Sequence, residues 1–600
     1  MILQALCEYY DRKAALGEMP PYGRESRPIP YLVVINPDGD FLRLESTAED
    51  IDGVKTVKKF MLCHSRGRTG SKSWATANSL WDHYGYVFGF PDKLDFTNTK
   101  KASTAAKQCK TFQDELHRLE ALNPHDEGLS AVVRFYGKLQ QNISKLKSDP
   151  LFDEAFKKGG TNFAFRLVTE AEPVGTAADF NYGDDDPDAP EGLCLVSGEH
   201  RHIARVNSSI SLRNAKLGGA KLVGFQKNSG YDSYHKEQGL NAPISTEANY
   251  AYSTALNTLL APKSRNKFFF NKDTLIFWAG KDNKFSDMFS VFFTALPTDD
   301  PDRNVEQISS LLKAPLTGTV MGDGDTRFYV LLLSPNVSRI AVKLWEETTV
   351  RKMAVNIRRY FADLDIVRGP GDKEFMPLAN LLRSISLQYK EENLPPQLFP
   401  SMMLSILEGL PYPELLQQQT IGRIKADRKV NRNRASLLKA YLTKKNNNNE
   451  KAITMSLDLT NTNPAYLCGR LLAIFEKIQQ EAMPGGVNSS IRDKYYDSFS
   501  CTPNLAFARL SALSNHHLQK LSHGRQVYFE RLKGEVMELL NPDGLPAHFS
   551  LDDQSRFAIG YYQQRQDFFK KKDSDANSET PTEKITIKNS YNYGTNKQPL

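Results

Sequence analysis

Between Lys55 and Lys72 the chain carries Lys55, Lys58, Lys59, Arg66, Arg68 and Lys72 and no acidic residue, with Ser65, Gly67, Thr69, Gly70, Ser71 and Ser73 in and beside the run. Cations interleaved with glycines and hydroxyls suit a loop laid against phosphates, where each cation releases counterions and each small residue lets the backbone come close. Trp74, Asn78 and Trp81 follow directly. An amide such as Asn78 can pair with a base edge, a hydroxyl such as Ser73 can bond to base or phosphate, and indoles wedge or stack. The same composition describes a solvated loop beside two core tryptophans. A second cluster, from Ile421 to Arg434, spreads Arg423, Lys425, Arg428, Arg432 and Arg434 over a helix and its exit. A charge run is usually a solvated helix face, so this one needs context before it counts as a polyanion groove.

Handles for catalysis are missing from the sequence. It contains no Gly-x-Ser-x-Gly elbow, no phosphate-binding loop ending in Gly-Lys-Ser/Thr, no His-Glu-x-x-His and no paired cysteines at metal spacing. The best metal candidate, Cys194 with His200 and His202, lacks a fourth ligand at a recognisable distance, and no metal or other cofactor is expected. The acidic stretch from Gly183 to Asp188 lacks the alternating ligands and distal glutamate of a calcium loop and is expected to be an exposed loop. His517 falls on an apolar stripe and is expected to be a core histidine, not half of a ligand pair with His516.

The elements that must carry these clusters differ along the chain. In the first part, Tyr31 to Ile35 and Phe41 to Leu44 flank Asn-Pro-Asp-Gly-Asp, and Phe328 to Leu333 and Arg339 to Trp345 flank Ser-Pro-Asn-Val-Ser, each the pattern of a β-hairpin. Residues 100–148 and 247–260 have helical spacing. After about Phe375 the chain is helix upon helix, punctuated by Pro395-Pro396, Pro411-Tyr412-Pro413, Pro464, Pro484-Gly485-Gly486, Pro503 and Asn541-Pro542-Asp543-Gly544. Tyr466, Leu467, Leu471, Ile474, Phe475 and Ile478 form one apolar stripe, and Leu510, Leu513, His517, Leu518 and Leu521 another. Helix starts are expected at Thr502-Pro503 and at Ser550, whose Ser-x-x-Asp spacing is that of a capping box. The expected class is α+β: a mixed α/β domain over 1–365, a helical domain with the basic helix over 375–482, a helical bundle over 483–572 and a disordered tail over 573–600. Asn446 to Asn449 is expected to be a linker.

Six hundred residues suit more than one domain. The six cysteines are scattered with no Cys-x-x-Cys, which points to reduced thiols, and no apolar run approaches the length of a membrane span, so a cytoplasmic address without a membrane partner is expected. The excess of 77 basic over 70 acidic residues is small for the length, so polyanion binding has to reside in local clusters.

Ordered blocks along the chain resemble a known family. They include Leu80-Trp81-Asp82 with Tyr86-Val87-Phe88-Gly89, Asn241-Ala242-Pro243-Ile244-Ser245, Phe277-Trp278-Ala279, Leu333-Ser334-Pro335-Asn336, Tyr412-Pro413, Arg423-Ile424-Lys425-Ala426-Asp427, Lys439-Ala440-Tyr441-Leu442, Leu467-Cys468-Gly469-Arg470-Leu471 and Gly560-Tyr561-Tyr562-Gln563-Gln564. Together they are similar to the large subunit of the type I-C CRISPR surveillance complex, Cascade (the Csd/Cas8c-type family). The chain departs from the family's pattern at His83, Gly224, Gln226 and His235.

The resemblance implies a DNA-binding, non-enzymatic protein of antiviral defence, seated in a guide-RNA ribonucleoprotein with repeated backbone subunits and a guide-processing subunit. Its first domain would recognise the protospacer-adjacent motif in double-stranded DNA, with Lys55, Lys58, Lys59, Arg66, Arg68, Thr69 and Lys72 on phosphates and Asn78 and Ser73 reading the motif. The helical part would hold the displaced single strand of the R-loop through Arg423, Lys425, Arg428, Arg432 and Arg434. A helicase-nuclease recruited on target binding would cut. The family also makes a small subunit from an internal translation start, for which Met483 is the expected position and Met455 the competitor. Two other classes remain: a nucleic-acid-processing nuclease with dispersed carboxylates, and a structural scaffold of a ribonucleoprotein.

Overall fold

The computed structural model describes residues 1–569 except 52–53, 67, 69–71, 184–188, 217–218, 227–235, 283–284, 294–323, 370–371, 374, 446–452 and 542–543. The acidic stretch 184–188, the linker 446–449, Thr69 and the tail therefore lie outside the described residues. The class is α+β, as the punctuation indicates, with sheets in the first part and helices dominating the second.

The chain forms two compact units, one of Met1–Tyr360, Pro377–Arg383 and Gln388–Leu410, the other of Phe361–Met376, Ser384–Leu387 and Pro411–Leu600. The first unit thus includes 377–383 and 388–410 from the helical part of the chain.

In the first unit, helix α1 (Ile2–Ala15) precedes strands β1 (Arg24–Pro28), β2 (Tyr31–Ile35), β3 (Phe41–Ser46), β4 (Ala48–Ile51), β5 (Val54–Val57) and β6 (Lys59–Cys63). Then come β7 (Trp81–His83), α2 (Tyr84–Phe88), α3 (Thr99–Leu122), α4 (Glu127–Gly137) and β8 (Asn162–Leu167). One four-stranded sheet has the order β3-β2-β8-β7. The β2–β3 hairpin is antiparallel and β8 runs parallel to β2, so the intervening helices form a crossover packed on the sheet. Strand β2 is buried along its whole length, as its uninterrupted Tyr-Leu-Val-Val-Ile requires. Val33, Ile35, Phe163 and Phe165 share a core with Phe112, Leu116 and Leu119 of α3 and Val132 and Phe135 of α4.

A second sheet is an antiparallel meander of β11 (Lys267–Phe270), β12 (Asp273–Ala279), β13 (Arg327–Asn336) and β14 (Arg339–Thr349), after the small hairpin β9 (Glu191–Leu193) and β10 (His200–His202). The expected Ser-Pro-Asn-Val-Ser hairpin is β13–β14, with a register shift at Leu332/Leu333. One face of this sheet buries Ile276, Trp278, Tyr329 and Leu331 against α1 and against α5 (Thr246–Leu260). Helices α6 (Val350–Leu364) and α7 (Leu398–Glu408) follow, and Asn356 of α6 donates to the Leu407 carbonyl of α7 at 2.6 Å.

The second unit is helical: α8 (Glu414–Asp427), α9 (Arg432–Lys445), α10 (Pro464–Ala482), α11 (Ile491–Cys501), α12 (Pro503–Leu518), α13 (His523–Met537) and α14 (Leu551–Asp567). Helix α10 is its axis. It packs against α11, α12, α13 and above all α14. Two glycines permit the α10–α14 crossing: a Cβ on Gly469 would lie 2.0 Å from the Phe557 carbonyl oxygen, and one on Gly560 2.2 Å from that of Tyr466. Where backbones meet this closely no side chain fits between them. Polar rungs cross the same seam, Tyr466 donating to Gln563 at 2.6 Å and Arg470 to Gln564 at 3.0 Å. The expected capping box at Ser550 is present. Thr502 differs: its hydroxyl donates back to the Ser498 carbonyl, closing α11, while Pro503 opens α12 without a side-chain cap.

Candidate nucleic-acid interface

The basic loop leaves β6 at Cys63, passes through a short helical turn at Ser73–Ala75 and enters β7 at Trp81. Its two arginines hold it in shape. Arg68 lies flat on the Tyr86 ring, 4.0 Å from the centroid, donates Nε–H to the Thr76 carbonyl at 2.7 Å, and spreads both arms over the Asp82 carboxylate, Nη1 reaching Oδ1 at 3.0 Å and Nη2 reaching Oδ2. Asp82 is 1% exposed and also accepts the backbone N–H groups of Asn78 at 3.0 Å and His83 at 2.8 Å. Arg66 reaches the other buried acid, Glu115 on α3, at 3.0 Å. Burial alone would raise the Glu115 carboxyl, but a hydrogen bond from Arg118 and the Arg66 charge outweigh it and hold it below the usual carboxylate range. Glu115 stays ionised, and the Arg66 and Arg68 guanidiniums are each half-buried against one of the two acids.

Asn78, expected at a base edge, is buried: its Oδ1 accepts the Arg66 backbone N–H at 3.0 Å. In this conformation it positions the loop instead of facing solvent. Trp81 is buried, its Nε1–H donating to the Cys63 carbonyl at 2.8 Å. Ser73 is half-buried and its carbonyl accepts from Tyr86 Oη at 2.8 Å. The cations that face water are Lys59 and Lys72, with Lys58, which pairs with Glu172 at 3.2 Å and lies over Phe60. Lys55 is placed by its backbone in β5.

Helix α3 extends this surface. It buries Ala105, Cys109, Phe112, Leu116 and Leu119, which leaves Lys100, Lys107 and Lys110 exposed. Lys107 Nζ lies 5.3 Å from the centroid of the half-buried Trp74 ring, joining helix and loop. The sequence signal was the spacing of these lysines opposite the apolar stripe. It is visible only once the helix face is assigned.

In the second unit the arginine-rich segment forms a clasp. Helix α8 buries Ile421 and Ile424 and ends at Arg428, a left-handed residue (φ 51°) that turns the chain into α9. The turn brings Arg434 back onto Asp427, which also accepts from Arg423 Nε at 2.8 Å; these bonds, Arg423's first, pull the Asp427 carboxyl down to about 2. Arg434 is 1% exposed, donating to the Ser384 carbonyl at 2.9 Å and the Lys429 carbonyl at 2.8 Å, so its expected place on a strand-binding face gives way to an interior one. Lys425 meets Asp497 at 3.0 Å, and half-buried Arg432 donates to the Lys373 carbonyl. Arg428 and Lys429 remain exposed. Elsewhere on this unit, Arg509 sits over Tyr495, 5.8 Å from its centroid, beside exposed Lys494.

A family model described as CRISPR-associated protein, Csd1, matches residues 6–569. The chain belongs to that family. No curated protein matches it. The blocks that carried the resemblance hold the framework of this Csd1-family protein: Trp81-Asp82 pins the loop, Arg423 to Asp427 builds the clasp, and Gly469 and Gly560 are the crossing points of α10 and α14.

Met483, the expected internal start, caps the end of α10. The candidate metal residues do not converge. Cys194 is buried and its sulfur accepts the N–H groups of Val196, Ser197 and Ser245 at 3.2–3.5 Å, while His202 Nδ1 lies 3.0 Å from the Ala189 carbonyl. Among the described residues no helix is long and apolar enough to cross a membrane.

Proposed function

We propose that this protein is the large subunit of a type I-C Cascade complex, recognising the protospacer-adjacent motif in duplex DNA with the loop 58–76 and the exposed face of α3. The observation that carries the reading is the anchoring of Arg68 on Asp82 and of Arg66 on Glu115, which fixes these two residues of the loop in advance. Residues already anchored pay little further entropy when the loop meets phosphates. Lys59, Lys72, Lys100, Lys107 and Lys110 make the phosphate contacts, and Lys55 and Thr69 of the same basic run are candidates for further ones. Ser73 and Trp74 lie nearest the base edges, and Arg66, Arg68 and Asn78 keep the loop's shape. The displaced strand runs over the second unit past Arg428, Lys429, Lys494 and Arg509, while Arg423, Lys425, Arg432 and Arg434 hold the surface that carries them.

The chain itself breaks no bond in this reading. Base pairing to the guide RNA supplies most of the sequence information, repeated backbone subunits and a guide-processing subunit carry the guide, and a recruited helicase-nuclease cuts. A small subunit made from an internal start also takes part. A product beginning at Met483 omits α10 and must cover the inner face of α14 with another chain, whereas one beginning at Met455 carries its own α10.

The test is the salt dependence of duplex binding by the assembled complex. Each true phosphate contact contributes about 0.9 to the slope of log affinity against log salt. Replacing Lys72, Lys107 and Lys110 with glutamine should lower the slope by about 2 to 3, and an unchanged slope would refute the assignment.

A further inference from the structure

The corner that pins the basic loop has a second side. His83 follows Asp82 directly and, with Tyr84, Phe90, Asp92, Lys100 and Gln108, lines a largely apolar cavity beneath the first turns of α3. Tyr84 and Phe90 are buried and supply aromatic surface. The polar groups are fixed. Tyr84 Oη donates to Asp92 Oδ1 at 3.2 Å and accepts the Lys93 N–H at 3.0 Å, so Asp92 presents its second oxygen as an acceptor. His83 Nδ1 accepts the Gly85 N–H at 3.1 Å, and burial lowers the ring's pKa, so the neutral imidazole carries its proton on Nε2 as a donor. Lys100 is exposed and Lys101 pairs with Asp95 at 3.4 Å, so an unpaired cation and a carboxylate acceptor stand at one aromatic site.

Aromatic walls, a cation for a phosphate, and an acceptor with a donor for a base edge are the groups that hold a single nucleotide. We infer that this cavity takes one nucleotide extruded from the DNA beside the motif, its base against Tyr84 and Phe90 and its phosphate on Lys100. The Asp92 acceptor selects a base with an exocyclic amino group, which adenine, cytosine and guanine have and thymine lacks. The inference rests on the reading that the loop 58–76 holds duplex DNA. It adds that the same corner captures a base as the duplex opens, so that melting begins where the motif is gripped.

The experiment measures binding of the assembled complex to motif duplexes with one unpaired adenine, thymine or abasic site next to the motif, together with a fully matched duplex. An unpaired base has already lost the pairing that extrusion costs. The wild-type complex should prefer adenine over thymine and over the abasic site by about tenfold. Thr104→Trp, which fills the cavity from α3, should abolish that preference while matched-duplex affinity stays within about twofold. Asp92→Ala, at an exposed position, should erase the adenine-over-thymine difference even if the tryptophan variant does not fold. Equal affinity for all three wild-type probes, or a preference that survives both variants, overturns the inference. Free deoxyadenosine monophosphate competing as well as the strand would assign the cavity to a soluble nucleotide and overturn it too. Failure of the loop reading looks different: the salt slope of matched-duplex binding stays unchanged when Lys72, Lys107 and Lys110 are replaced with glutamine, and both claims fall with it.

Discussion

Asp82→Asn separates shape from charge at the basic loop. The substitution removes a negative charge beside the interface, so electrostatics alone predicts tighter DNA binding. The structure predicts weaker binding. Asp82 accepts four N–H donors, two from Arg68 and one each from Asn78 and His83, divided evenly between its oxygens. An asparagine keeps one oxygen and turns its amide N–H₂ toward the two donors of the other. The loss is one charge-assisted bond of about 2 kcal/mol and one backbone bond of about 1 kcal/mol, about 3 kcal/mol at the base of the loop. Arg68 retains the Tyr86 ring and the Thr76 carbonyl, so the loop loosens without detaching. The loss bounds the affinity penalty at about a hundredfold, and about tenfold is expected. Fluorescence anisotropy of the assembled complex on a motif duplex, over a series of salt concentrations, reads both quantities. Affinity should fall while the salt slope stays constant, since the exposed lysines are unchanged. Arg68→Gln should weaken binding similarly, and the double variant should be no worse than the worse single one. Equal or tighter binding by Asp82→Asn would refute the pinned-loop argument.

Glu346 of β14 is buried, and its burial, followed by the neighbouring Glu408, raises its carboxyl to about 7. Because the folded state holds this proton above the ordinary glutamate pKa of 4.5, the stability it contributes is present below about 4.5 and is lost as pH rises through about 7; Glu346→Gln should flatten that fall in a denaturant series across pH. Gly469→Ala puts a Cβ 2.0 Å from the Phe557 carbonyl and should destabilise the second unit by about 3 kcal/mol or more, whereas Gly422→Ala, with open space around it, should be neutral or stabilising in the same thermal melts. A fragment 455–569 should fold as a monomer with a cooperative melt, and a fragment 483–569, lacking α10, should self-associate or melt without cooperativity. Calorimetry and sedimentation distinguish them.

What the sequence disclosed depended on how far apart the interacting residues lie. The hairpins at Asn36 to Asp40 and Ser334 to Ser338 are local, set by turn chemistry between extended runs, and both are present. The stripe Tyr466 to Ile478 shows the periodicity of a helix buried over most of its surface. The charge clusters were legible as composition and illegible as geometry. Arg68 finds Asp82 and Arg66 finds Glu115 through chain crossings that no local pattern encodes, so a phosphate ligand and a loop strut look alike in sequence. Arg434 meets Asp427 only because Arg428 takes a left-handed turn, a conformation that a non-glycine residue seldom adopts and composition does not announce. The cavity at His83 arises where β7, the turn after α2 and the start of α3 converge, and no one of these segments carries a motif for it.

In the proposed complex the loop 58–76 and the lysine face of α3 meet duplex DNA at the motif. Photocrosslinking reads this contact, with a reactive base analogue placed at each position of the motif, the assembled complex irradiated, and the attached peptides sequenced by mass spectrometry. Adducts are expected in peptides spanning residues 58–76 and 99–111 from positions within the motif, and they should be lost when the motif is scrambled. Adducts confined to other parts of the chain or to other subunits would contradict it.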